Sequence, residues 1–116
     1  MSRNKGDHFE QLAQMYLKQA GVKILELNFN SRFGEIDLII IDDNTLSFVE
    51  VRYRKNDSFG GAIASVTRAK QLKLIKTAQY YLAIHPNYDK MACRFDVITI
   101  NNKMDIEWIK SAFLSS

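Results

Sequence analysis

Apolar residues recur every three or four positions between residues 7 and 20, where Phe9, Leu12, Ala13, Tyr16, Leu17 and Ala20 form one stripe. This spacing predicts an amphipathic helix, stopped by Gly21 with Lys18 in its last turn. A strand follows at 22–29 (Val-Lys-Ile-Leu-Glu-Leu-Asn-Phe), then a loop at 30–34. Residues 35–41 and 46–53 are rich in Ile, Val and Phe and free of Gly and Pro, and read as two further strands. Asp42-Asp43-Asn44-Thr45 between them has the residue types of a tight turn. Residues 55–66 read as a loop centred on Gly60-Gly61. Thr67 is placed to cap a second helix that runs to about Ile84, with Ala69, Leu72, Ile75, Ala78 and Leu82 as its buried stripe and Lys70, Lys73 and Lys76 on the opposite, solvated side. A strand at 94–100, a turn at 101–103 and a last strand at 105–113 complete the order α-β-β-β-α-β-β. That order predicts one α/β domain over 1–116, a small mixed β-sheet flanked by helices, with the second helix as a crossover.

The predicted hairpin carries charge where its apolar run ends. A turn symmetric about Asp43-Asn44 sets Asp37 opposite Glu50 and Glu35 opposite Arg52, and strand alternation puts all four on the face of Ile39, Ile41, Leu46 and Phe48. Opposed carboxylates about 4.5–5.5 Å apart at their β-carbons destabilise a sheet. A solvated hairpin face would be polar along its whole length, whereas this one is greasy except at one end. The pattern therefore points to a divalent metal or acid/base site. Glu10 lies at the border of the first helix's stripe, where a carboxylate can reach the sheet rim. The competing reading of Glu10 is a solvated acid near a helix N-terminus.

Composition narrows the context. The chain has 116 residues, 47% apolar and 25% charged, so it can bury its own core. Sixteen basic against thirteen acidic residues give a net charge of +3, which permits a nucleic-acid partner without demanding one. Arg52, Arg54, Lys55, Arg68 and Lys70 crowd both sides of the glycine loop, interleaved with Tyr53 and Phe59, and Lys70, Lys73 and Lys76 form a short basic ridge suited to phosphates. The single Cys93 excludes an intramolecular disulfide and a Cys-based zinc site, and is expected to be a small buried residue. The Met-Ser-Arg-Asn-Lys-Gly start has no apolar stretch behind it and no run approaches a membrane span. No signal peptide or membrane association is expected, and the cytoplasm is the expected location.

Gly-Glu-Ile-Asp-Leu-Ile at 34–39, Phe-Val-Glu-Val-Arg-Tyr-Arg at 48–54, Gly60, the Val66-Thr67 start with Lys70, and Arg94-Phe95-Asp96-Val97 together resemble the YraN-like family of small bacterial proteins. That family looks like a member of the restriction-endonuclease-like superfamily and is similar to Holliday-junction resolvases. The superfamily pattern, an Asp followed on the next strand by Glu-x-Lys, falls here on Asp37, Glu50 and position 52. The resemblance implies a Mg²⁺- or Mn²⁺-dependent nuclease acting on DNA phosphodiester bonds, branched DNA included, and a homodimer as in resolvases. Asp37 and Glu50 would hold the metal with the Val51 carbonyl and Glu10, Glu35 and Arg52 would act beside them, Arg54, Lys55, Arg68, Lys70 and Lys73 would meet the nucleic acid, and the Gly60-Gly61 loop would be a flap. Arg52 departs from the pattern. Arg stays protonated and cannot act as a base, though it can clamp a phosphate. Lys70 or Lys55 would then have to supply the amine. The alternatives are a non-catalytic nucleic-acid-binding module on the nuclease fold and a protein-interaction adaptor.

Overall fold

The turn at Asp43-Asn44 forms as its residues predict. The computed structural model describes residues 5–54 and 61–115. In it β2 (Gly34–Asp42) and β3 (Thr45–Arg54) run antiparallel, with Asp42 opposite Thr45 and Leu38 opposite Val49. Asp43 takes a φ of 60°, the left-handed conformation that a two-residue hairpin turn needs and Asp tolerates. β1 (Lys23–Ser31) pairs antiparallel with the other edge of β2. β4 (Ala92–Asn101) lies parallel to β3, and β5 (Ile106–Phe113) runs antiparallel to β4. The sheet order is β1-β2-β3-β4-β5.

Parallel strands cannot be joined by a tight turn. The β3–β4 connection holds a one-turn helix α2 (Gly61–Ala64), then α3 (Arg68–Ile84), then a short 3-10 turn at Pro86–Tyr88. α2 falls inside the stretch expected as loop, and the 3-10 turn was not foreseen. Thr67 caps α3 as expected, its hydroxyl accepting the Lys70 N–H at 3.3 Å. α1 (Lys5–Gln19) covers the opposite face. Phe9, Ala13 and Leu17 of α1 bury against Leu38, Ile40, Val49, Ile98 and Ile100. On the α3 side, Leu74, Ile75, Ala78 and Tyr81 bury against Ile36, Ile39, Leu46, Phe48, Phe95 and Val97. The molecule is thus a mixed α/β sheet with one long helix on each face.

The buried stripe of α3 differs from the expected one. Leu74, Ile75, Thr77, Ala78 and Tyr81 face the sheet, while Leu72 is 45% exposed and Ala69 is exposed. Gly34 has a φ of +151°, and a Cβ there would meet Thr77 Oγ1 at 3.4 Å and Lys73 Cβ at 3.6 Å. The Thr77 side of the helix thus lies over Gly34, and Leu72 is turned outward. Gly34→Ala is expected to cost about 1–3 kcal/mol, from the strained φ. Urea denaturation checks this; an unchanged midpoint would show that the glycine is dispensable there.

Candidate functional site

β2 changes face at Asp37. Ile36 packs in the α3-side cluster, yet Leu38 and Ile40 pack in the α1-side cluster. In an unbroken strand Ile36 and Leu38 would share a face. The β2–β3 ladder ends at Leu38 opposite Val49. Past that point the Asp37 carboxylate takes over, its Oδ2 accepting the Val51 N–H at 2.8 Å. β1 is irregular alongside, with Asn28 at a φ of 52°.

Three carboxyl groups consequently form a row. Glu10 of α1 hydrogen-bonds Asp37 and is itself hydrogen-bonded by the Asn28 side chain. Asp37 in turn hydrogen-bonds Glu50 of β3. Burial, and after it the charge of Glu50, push the Asp37 carboxyl up to about 7, against the pull of the Val51 N–H. Burial and the charge of Asp37 push Glu10 up to about 7, with the Asn28 hydrogen bond opposing. Burial raises Glu50 as well, countered by Arg52, the hydrogen bond to Asp37 and Lys70. Crowded, desolvated carboxyls hold their protons to near-neutral pH for this reason. Among the described residues no group of three or more His, Cys, Asp or Glu is placed to hold a metal ion. The arrangement is a row with Asp37 in the middle.

Cations stand on the α3 side of the row. Glu35, Glu50, Arg52, Lys70 and Lys73, with Gly34, surround a cavity of about 210 Å³. Arg52 Nε lies 3.6 Å from Glu50 Oε2, and an Arg52 terminal nitrogen donates to the Ser65 carbonyl at 3.3 Å. Among the described residues Arg52 Nε is buried and makes no hydrogen bond, its contact with Glu50 being an ion pair. A buried donor left unmade costs about 1–3 kcal/mol and is uncommon in folded proteins.

Several sequence expectations meet their test here. Asp37, Glu50 and Glu10 come together, and Val51 adjoins them through its N–H. The expected Glu35–Arg52 cross-strand pair does not form: Glu35 sits opposite Asn30 of β1, and the carboxylate beside Arg52 is Glu50. The face change at Asp37 ends the β2–β3 register before Glu35, so strict alternation fails there. Lys70 and Lys73 line the cavity and remain exposed, as expected for the solvated side of α3. Arg54 ends β3, and Arg68 donates to Gln71 Oε1 at 3.1 Å at the exposed start of α3; neither is among the residues lining the cavity. Lys55, Phe59 and Gly60 lie outside the described residues. Cys93 is exposed, not buried, and burial of its thiol on one side still raises its pKa. Asn28 and Ser65 were missed. A signal for Asn28 existed, since Asn is unusual mid-strand and tolerates the left-handed conformation.

Asp96, part of the block that carried the resemblance, serves elsewhere. It is fully buried and accepts from Arg94 Nε at 2.9 Å, Trp108 Nε1 at 2.9 Å and the Ser111 N–H at 3.0 Å. Arg94 continues to Asp42 at 2.7 Å, which also meets Lys110 at 3.0 Å. This network locks β5 to β4 and β2.

Fold and site together define a small α/β protein whose mixed sheet carries a row of carboxyls beside a cluster of cations. The chain belongs to uncharacterised protein family UPF0102, whose model matches residues 9–100. It is 52% identical over 112 residues to a UPF0102 protein of Nitrosomonas europaea, covering 95% of this chain and 93% of that one. A UPF0102 protein of Vibrio parahaemolyticus is 49% identical over 111 residues, with 95% and 92% covered. UPF0102 protein YraN of Escherichia coli is 46% identical over 113 residues, with 97% and 86% covered. The YraN-like membership read from the sequence blocks holds. Among the described residues no helix is long and apolar enough to cross a membrane.

Proposed function

We propose that the chain is a metal-dependent endonuclease that cleaves DNA phosphodiester bonds. The observation that carries this reading is the Asp37–Glu50 pair, costly to the fold, at the edge of a cavity lined by Arg52, Lys70 and Lys73. The donor chemistry suits Mg²⁺ or Mn²⁺, since Mg²⁺ takes only one or two carboxylates and completes its shell with waters and substrate phosphate. Asp37 and Glu50 would hold the ion, with the Val51 carbonyl as a further ligand and Glu10 acting through its contact with Asp37. When bound, such an ion lowers the pKa of its water and offsets charge on the phosphate. The chain's own cations do the rest. Arg52 lines the cavity beside Glu50, and its fixed charge would attract a phosphate oxygen there. Lys70 acts electrostatically on Glu50, which makes it the amine placed to stand in for the lysine that position 52 lacks. The α/β order and the acids on adjacent strands agree with the restriction-endonuclease-like resemblance.

Fluorescently labelled branched, flapped and linear DNA, incubated with Mg²⁺ or Mn²⁺, tests the reading. Wild type is expected to cleave, Glu50→Gln to lose at least about a hundredfold, as for loss of a group that acts in the transition state, and Arg52→Lys to keep or modestly raise the rate. Equal trace cleavage by all three would mark contamination and end the nuclease reading. Arg52 in place of Lys favours a second reading, in which DNA is bound without cleavage; affinity insensitive to metal, with no product, would establish that one.

A further inference from the structure

A second cavity opens on the far side of the β1–β2 turn. It measures about 440 Å³ and is lined by Ser31, Arg32, Phe33 and Tyr80, a volume within the range of small-molecule sites. Its walls are aromatic and cationic. The Arg32 guanidinium lies over the Phe33 ring at 4.9 Å. The Phe33 and Tyr80 rings are 6.3 Å apart and inclined at 60°. Tyr80 is 42% exposed, so neither its ring nor the arginine is spent on the core. The platform is nonetheless firmly mounted. Phe29 stands 6.1 Å from Tyr80 and is gripped edge-on at 5.0 Å by buried Tyr81. The Ser31 hydroxyl accepts the Phe33 N–H at 3.0 Å and fixes the turn.

The two cavities are lined by neighbouring stretches of the chain. Gly34 lines the acid-rich one, and its neighbour Phe33 lines the aromatic one. On α3, Lys73 lines the first and Tyr80 the second. Seven residues are two helical turns, so these side chains share a face about 10 Å apart. A strand with a phosphate beside Arg52, Lys70 and Lys73 would therefore bring an adjoining nucleotide to Phe33 and Tyr80. Base faces stack on aromatic rings and arginine planes irrespective of sequence, but only when they are not already stacked inside a duplex.

We propose that Arg32, Phe33 and Tyr80 form a stacking site for an unpaired nucleobase, next to the phosphate held in the acid-lined cavity. The preferred ligand is then DNA with at least one unpaired nucleotide beside the bound phosphate. The phosphate's position rests on the reading under Proposed function; the stacking itself needs neither metal nor cleavage.

The test uses the full chain in EDTA, with a short single-stranded DNA containing 2-aminopurine and the duplex of the same sequence. Wild type is expected to bind the single strand about tenfold more tightly than the duplex, the lower part of what base–aromatic stacking contributes, and to quench the 2-aminopurine. Phe33→Ala/Tyr80→Ala is expected to lose both the preference and the quenching while its duplex affinity stays the same. Tyr80→Phe is expected to keep both. Tyr80→Ser, a change at an exposed position, gives the same comparison should the double variant fail to fold. Equal affinity for the two DNAs, no quenching, or alanine variants that bind like wild type would overturn the proposal. Cleavage in Mg²⁺ without the stacking signature overturns this inference and leaves the nuclease reading standing. The signature without cleavage supports this inference while the nuclease reading falls.

Discussion

Asp37→Asn is expected to make the metal-free protein more stable above pH 7 and to abolish any stabilisation by Mg²⁺. The Asp37 carboxyl sits at about 7 in the folded chain against an ordinary 3.8, raised by burial and by Glu50. A folded value above the unfolded one means that the carboxyl favours folding fully below the unfolded value. That contribution drains away as pH rises and is gone above about 7. The shift corresponds to on the order of 2–4 kcal/mol between acid and mildly alkaline solution, shared among the coupled acids. Asn copies the protonated form: its oxygen can accept the Val51 N–H and its amide can donate to Glu50. Its stability should therefore vary much less with pH. Glu10, also raised to about 7, leaves a smaller slope of the same sign. Asp42, held below its ordinary value by hydrogen bonding to Arg94 and Lys110, acts in the opposite sense and only at lower pH. Thermal melts from pH 5 to 8, with and without Mg²⁺, check the whole pattern. A lower melting temperature for metal-free Asp37→Asn at pH 8 would show that the ionised carboxylate is structural and would remove the argument for a metal.

Asp96→Ala is expected to cost about 3–5 kcal/mol, the range for removing one member of a buried ion pair. Arg94 would keep Asp42 but lose two short contacts from its Nε. Trp108 Nε1 and the Ser111 N–H would lose their acceptor in the same step. Each donor left unmade adds to the loss of the pair. Urea denaturation at neutral pH measures it, and a change under about 1 kcal/mol would mean that water replaces the carboxylate at little expense. The same variant, assayed under conditions where it remains folded, should keep the Mg²⁺ response predicted for wild type. Its network lies toward the Asp42 end of β2, away from Asp37. Part of the sequence block that signals the family is thus a strand lock.

The sequence by itself determined the element order, the hairpin register and the meeting of Asp37 with Glu50. These depend on local properties: helical and strand periods, a two-residue turn, and side chains close along the chain or directly across one hairpin. The placement of Glu10 was legible for the same reason, as a carboxylate at the margin of an apolar stripe. Tertiary structure decided what periodicity cannot encode. The docking of α3 on the sheet exposed Leu72 and set Lys70 and Lys73 at the rim of a cavity they share with Glu35 and Glu50. The irregularity at Asp37 let a side chain replace a backbone hydrogen bond, which separated Glu35 from Arg52. The aromatic cavity joins β1, the turn at Phe33 and the far part of α3, and the Asp96 network joins three strands. Such contacts between distant segments depend on how layers slide and rotate against each other, and that follows from the summed packing of the core, not from any single run of residues.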